Sequence, residues 1–190
     1  MKVLVLGAMG MLGHRVVTAL QIAGFDVMAT LRDEAKDGYK YQIFKKGILI
    51  GSTDLEDTER LLAVLNRVKP KAIVNCAGAT TRKLGLCQTS KIIQVNSVAP
   101  HFLAEWCEEN NSRLIHFSTD CVFNGSKGPY REDATPDAVD LYGRSKILGE
   151  VTDSKKALTI RSSIIGFEIK GRTELLEWFL SQEGKEVFCF

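Results

Sequence analysis

The chain has 190 residues, 45% of them apolar and 25% charged, which is enough apolar material for one core of ordinary size and excludes a disordered or fibrous chain. Lys and Arg (25) nearly balance Asp and Glu (23), so the net charge of +2 carries no electrostatic footprint for nucleic acid or an anionic membrane surface. No apolar run approaches a membrane span and no secretory leader opens the chain, so a cytoplasmic protein is expected, with neither nucleic acid nor membrane as partner. The five cysteines (Cys76, Cys87, Cys107, Cys121 and Cys189) are odd in number and lack C-x-x-C spacing, and His14, His101 and His116 are scattered. Reduced thiols acting as small buried hydrophobes are expected, and no metal site.

In chain order, Lys2–Leu6 is a short apolar run that ends at glycines, as expected of a strand covered on both faces. Met11–Ala23 reads as a helix stopped by Gly24, and Asp26–Leu31 as the next strand, completing a βαβ unit. Asp33–Gly47 is charged and weakly patterned. The alternation resumes with a helix at Leu55–Val68, a strand at Ala72–Cys76, a helix at Ile92–Glu109 and a strand at Arg113–Phe117. Asn124–Ala138, with Gly125, Gly128, Pro129 and Pro136, reads as a long functional loop. A helix at Leu141–Glu150 and a strand at Ala157–Arg161 follow, then an amphipathic helix at Thr173–Leu180, with no evident structural ending before Phe190. Strict succession of strand and helix predicts a doubly wound, mostly parallel α/β sheet with helices on both faces.

Gly7-Ala-Met-Gly10-Met11-Leu12-Gly13 lies between the first strand and the first helix. There Gly7 allows a tight turn, Gly10 a close backbone approach to a pyrophosphate, and Gly13 close packing of helix on strand, with free N–H groups aimed at the anion. The second strand ends at Thr30-Leu-Arg32-Asp33. Arg32 suits the 2′-phosphate of NADP, while Asp33 keeps NAD open. Asp54, before Leu55, is placed either to cap the following helix or to accept from an adenine amino group.

Tyr142-Gly-Arg-Ser-Lys146 sets a phenol and an ammonium four residues apart, on one helical face. The cation is expected to stabilise the phenolate and lower the Tyr142 pKa toward neutrality. Ser118-Thr119-Asp120 ends the preceding strand, where open α/β sheets form their ligand crevices, and Thr119 can hydrogen-bond a substrate oxygen beside Tyr142.

Together with Asn75-Cys-Ala-Gly78, Phe117-Ser-Thr-Asp120-Cys-Val-Phe-Asn-Gly125, Pro129-Tyr-x-Glu132 and Tyr142-Gly-x-Ser-Lys146-x-x-Gly149-Glu150, the glycine turn resembles the extended short-chain dehydrogenase/reductases, and within them the dTDP-4-dehydrorhamnose reductase group. The resemblance runs to about Glu168. It implies an NAD(P)-binding Rossmann domain over residues 1–168, and over 169–190 the start of a substrate-binding segment that is otherwise largely missing.

By the same resemblance Thr119, Tyr142 and Lys146 form the catalytic triad, and Asp120 joins Thr119 toward substrate. Gly7, Gly10, Met11, Leu12, Gly13, Arg32, Asp54, Leu55, Ala77, Gly78 and Ala79 hold the cofactor together with Tyr142 and Lys146. Asn96 resembles the family's helix asparagine beneath the active site. The implied activity is NADP-dependent reduction of a nucleotide-linked 4-keto-6-deoxy sugar in rhamnose or surface-polysaccharide biosynthesis, with a homodimer possible. A nucleotide-sugar epimerase or dehydratase, or a regulatory subunit of the methionine adenosyltransferase type, are the alternatives. The chain departs from the group at Cys121, where Tyr is usual, and at Cys76, where Ala is commoner. A structural, buried role is expected for Cys121.

Overall fold

The computed structural model describes residues 1–80, 88–171 and 174–187. Its elements are β1 (Lys2–Leu6), α1 (Met11–Ile22), β2 (Asp26–Thr30), α2 (Ala35–Gly38), β3 (Leu49–Ile50), α3 (Thr58–Val68) and β4 (Ala72–Asn75). Then come α4 (Thr89–Ile93), a π-helical turn (Gln94–Val98), α5 (Ala99–Glu109), β5 (Arg113–Phe117), a 3₁₀ turn (Asp120–Val122), α6 (Leu141–Leu148), β6 (Ala157–Ile160) and α7 (Leu175–Leu180).

All six strands pair in parallel in the order β3-β2-β1-β4-β5-β6. This is the doubly wound Rossmann arrangement expected from the alternation. Because successive strand side chains point to opposite faces, β1 feeds both cores: Val3 and Val5 pack with Val17, Val27, Ala29 and Val74, while Leu4 and Leu6 pack with Leu61, Leu65, Ile73, Leu103 and Leu114. Helix α3 shows how the pattern produces the layer, since Leu61, Val64, Leu65 and Val68 recur at helical spacing and are all buried. Each such leucine contributes about 2 kcal/mol of transfer free energy.

Several boundaries differ from the sequence reading, each for a local reason. Helix α3 begins at Thr58, because Asp57 rather than Asp54 caps it, accepting from the Arg60 N–H at 2.8 Å. The weakly patterned Asp33–Gly47 contains the short helix α2, whose Gly38 lies against Leu49. The helix expected as one piece from Ile92 is interrupted by the π turn around Asn96. Helix α6 stops at Leu148, and β6 at Ile160. Of the expected last helix, Thr173 lies outside the described residues; α7 starts at Leu175 and buries no side chain.

Candidate active site

Strand order reverses direction between β1 and β4, and the crevice of an open parallel sheet opens at the carboxyl ends of the strands there. A cleft of about 500 Å³ occupies this position, its floor formed by Gly7, Met9, Gly10, Ala77, Gly78 and Ala79. Glycine is required at two points of the turn. Gly7 has φ +78°, and a Cβ on Gly13 would stand 2.0 Å from the Gly7 carbonyl oxygen, so α1 rests directly on the strand exit. Gly10 is the N-cap of α1 without a side-chain cap, and the first turn carries no acidic residue. The helix therefore presents uncapped N–H groups and its positive dipole end to the cleft.

Two buried amides hold the opposite wall. The Asn75 side chain accepts from the Ala77 N–H at 3.2 Å. Asn96 accepts from the Ala79 N–H and donates to the Ala79 carbonyl, both at 2.8 Å, and also donates to the Ser145 hydroxyl at 3.0 Å. The π turn seats Asn96 there, and Gly149 admits it: a Cβ on Gly149 would lie 1.8 Å from the Asn96 carbonyl oxygen. Asn96 thus couples the cleft wall to helix α6.

At the far end the cleft is walled by Arg32, Asp33, Asp54, Leu55, Lys91, Glu168 and Lys170. Asp33 pairs with Lys170 at 3.6 Å, and Lys91 bridges Asp54, at 3.2 Å, and Glu56.

The residues expected to carry the reaction meet at the carboxyl end of β5, the candidate reaction centre. Thr119 leaves the strand extended, accepts from the Cys121 N–H at 3.2 Å and donates to Asp120 at 3.1 Å. Asp120 in turn accepts from the Ser163 hydroxyl, and that bond, followed by the one from Thr119, holds its carboxyl below the usual range. Helix α6, capped by Asp140 on the Gly143 N–H at 3.0 Å, brings Tyr142 to the same place. Gly143 permits the approach, since a Cβ there would meet the Cys121 carbonyl oxygen at 2.6 Å.

Burial pushes the Tyr142 phenol above its ordinary value, and a hydrogen bond between the Thr119 and Tyr142 side chains opposes the rise. This overturns the expected lowering, because the Lys146 ammonium is engaged elsewhere. Only 3% exposed, it donates to the Phe117 carbonyl at 2.7 Å, and desolvation pulls its pKa down to about 8 against the opposing field of Glu150. At neutral pH the phenol is protonated, and the dehydrated ammonium, though lowered, is still mostly charged.

His116, on β5 behind this centre, is fully buried. Its Nδ1 accepts from the Asn75 amide at 3.2 Å, and its Nε2 has no partner among the described residues. Burial, then the nearby Lys146 and His101, lowers its pKa to about 3. The folded state therefore stays neutral while the unfolded chain takes up a proton below the ordinary value of 6.5, so stability falls as pH drops from 6.5 toward 3. Urea unfolding at pH 5.5 is expected to show about 1 kcal/mol less stability than at pH 7, with the difference abolished in His116→Asn. An undiminished difference in that variant would assign the acid sensitivity to other groups.

Of the cofactor residues expected from sequence, Gly7, Gly10, Arg32, Asp54, Leu55, Ala77, Gly78 and Ala79 line the cleft. Met11 and Leu12 sit half-buried in the first turn of α1, and Gly13 acts from behind, through packing. Asp54 does not cap α3. Among the described cysteines Cys76 is half-buried and Cys107 buried, whereas Cys121, expected to be buried, is exposed because its 3₁₀ turn faces solvent. Sequence reasoning missed Met9, which lies within the glycine turn itself, and Lys91 and Lys170, whose approach to the cleft depends on packing between distant segments.

The chain is similar to several known proteins. The chain is 33% identical over 187 residues to the probable low-salt glycan biosynthesis reductase Agl14 of Haloferax volcanii, covering 94% of this chain and 58% of that protein. It is 36% identical over 150 residues to a dTDP-4-keto-6-deoxy-D-glucose reductase of Streptomyces niveus, covering 77% of this chain and 45% of the relative. It is also 29% identical over 149 residues to methionine adenosyltransferase 2 subunit beta of Xenopus tropicalis, covering 78% of this chain and 41% of that one.

A solved hypothetical dTDP-4-dehydrorhamnose reductase from Sulfolobus tokodaii superposes with a TM-score of 0.75 at 28% identity, over all of this chain and 65% of its own. The chain thus spans 41 to 58% of the length of these curated relatives. The family profile described as RmlD substrate binding domain matches residues 1–180. That match takes in the cleft together with Thr119, Tyr142 and Lys146, and the chain belongs to the RmlD substrate binding domain family.

Proposed function

We propose that this chain is the cofactor-binding and catalytic part of an NADP-dependent reductase acting on a nucleotide-linked 4-keto-6-deoxy sugar. The observation that carries the reading is the convergence of Thr119, Tyr142 and Lys146 at the end of β5, beside a glycine-turn cleft whose helix N-terminus is uncapped. The names of the reductase relatives support the substrate class.

The cleft fits a dinucleotide by its own geometry. Gly7 and Gly13 leave no room for a Cβ, the α1 N–H groups suit the pyrophosphate, and Arg32, in the far wall among Asp33, Asp54, Lys91, Glu168 and Lys170, is placed to meet a ribose 2′-phosphate. The bound nicotinamide supplies a hydride. Thr119 polarises the sugar carbonyl through its hydroxyl, Tyr142 delivers its proton to the developing alkoxide oxygen, and Lys146 holds the nicotinamide ribose. Partial burial of these groups strengthens each interaction relative to water.

The test is titration with NADPH and NADH beside NADPH consumption with a dTDP-linked 4-keto-6-deoxy sugar. Tighter NADPH binding with turnover is expected. Arg32→Ala should weaken NADPH about 10- to 100-fold and move NADH less than about threefold, the worth of a charge-assisted contact to phosphate. Equal losses for both cofactors would remove Arg32 from the discrimination. Binding without turnover would favour the regulatory reading that the methionine adenosyltransferase relative suggests.

A further inference from the structure

Just beyond the ends of helix α6 and strand β6, Glu150 and Arg161 form an ion pair that the mechanism above does not use. The Glu150 carboxylate, 5% exposed, accepts from Arg161 Nε at 2.8 Å and Nη2 at 2.7 Å, and from the Ser118 hydroxyl at 2.8 Å. The third guanidinium nitrogen of Arg161, Nη1, reaches into the long loop and donates to the carbonyls of Ala134 at 3.2 Å and Glu132 at 3.3 Å. The guanidinium also lies 5.2 Å from the centroid of Phe123, which stacks on Tyr130 at 4.1 Å.

Every group the pair touches bears on the reaction centre. Ser118 precedes Thr119, Glu150 lies one helical turn beyond Lys146, and the loop runs from the 3₁₀ turn after Thr119 to the cap of the helix carrying Tyr142. The base of the loop is closed without Arg161, since Asp137 and Ala138 both donate to the Val122 carbonyl at 3.0 Å. Its middle is where the guanidinium holds it. Lys127, Tyr130, Arg131, Thr135 and Asp137 there line a second cleft, of about 500 Å³. An ion pair of one buried and one partly exposed group contributes little net stability, so this pair is better accounted for by geometry than by energy.

We propose that Glu150 and Arg161 are positioning residues that latch the 124–138 loop against the reaction centre as its sugar-facing wall. Glu150 orients the guanidinium, and the guanidinium holds the loop at Glu132, Ala134 and Phe123. The assignment to the sugar side rests on the reductase reading, whereas the latch itself does not.

The experiment joins hydrogen exchange with steady-state kinetics on Arg161→Gln, Arg161→Lys and Phe123→Leu. Arg161→Lys keeps a cation for Glu150 but cannot bond the carboxylate and both loop carbonyls at once. It should leave β1 and β4 amides protected as in the parent while speeding exchange in 124–138 at least tenfold. Phe123→Leu, which spares the ion pair, should speed loop exchange by a smaller factor. KM for the keto sugar should rise about tenfold or more in both, with kcat and the NADPH Kd within about twofold.

Unchanged loop exchange in folded Arg161→Lys and Phe123→Leu would overturn the latch, as would exchange raised equally in loop and strands. Faster loop exchange confined to 124–138 in a parent protein that turns over no sugar would keep the latch and reject the reductase reading. Should Arg161→Gln not fold, the other two variants still decide.

Discussion

Tyr142→Phe is expected to lower reductase turnover by about 10³-fold, within the span that a positioned general acid supplies, and to leave the NADPH Kd within about twofold. The substitution removes one hydroxyl. What it loses is the proton that must reach the alkoxide oxygen as hydride arrives. Burial pushes this phenol further above its ordinary value, so it carries its proton at neutral pH, and its hydrogen bond with the Thr119 side chain opposes the rise.

On the proposed reading Lys146 holds the nicotinamide ribose rather than acting on the phenol. Desolvation brings its pKa down to about 8, so it is mostly charged at neutral pH and can donate. Thr119→Val should cost less, about tenfold, since polarisation of the carbonyl is assisted rather than replaced by the proton donor. Single-turnover kinetics with NADPH separates these effects from product release. A Tyr142→Phe rate equal to that of the parent would falsify the mechanism.

Gly13→Ala should be the most damaging change in the cleft. The added Cβ would stand 2.0 Å from the Gly7 carbonyl oxygen and 3.0 Å from the Ala8 Cα, and both contacts are backbone, so no side chain can swing aside. Helix α1 must lift from β1, which displaces the uncapped N–H groups from the floor of the cleft and opens the packing of Val17 on Val3 and Val5. A loss of about 3 kcal/mol in stability and about 100-fold or more in NADPH affinity is expected, measured by urea unfolding and by fluorescence titration. Gly24→Ala provides the contrast. Its Cβ would meet nothing within 4 Å, and only the positive φ of 79° is strained, so about 1 kcal/mol and no change in cofactor affinity are expected.

The legible parts of this protein are those encoded locally. The apolar run Lys2–Leu6, the spaced glycines after it and the four-residue step from Tyr142 to Lys146 each state their element without reference to distant residues. Helical and strand periodicities act within a few residues, so the order of elements and the parallel sheet could be read directly. Boundaries were less legible because caps compete at close range: Asp54 and Asp57 both suit a helix start, and only the backbone path chooses Asp57. The π turn at Asn96 left no mark in composition, since it arises where Gly149 lets a second helix press on the first.

Sequence by itself therefore determined the doubly wound architecture and the glycine-turn cleft, because each depends on short-range pattern and on strand ends meeting at one edge of a parallel sheet, and through family resemblance it offered Thr119, Tyr142 and Lys146 as a group. Tertiary structure alone decided their electrostatic state. A pKa is set by how much water surrounds a group and by which charges stand within a few ångströms, and both are sums over residues distant in the chain. Burial raised Tyr142, the Phe117 carbonyl drew Lys146 inward, and Arg161 bridged Glu150 to a loop whose carbonyls lie some thirty residues earlier in the chain.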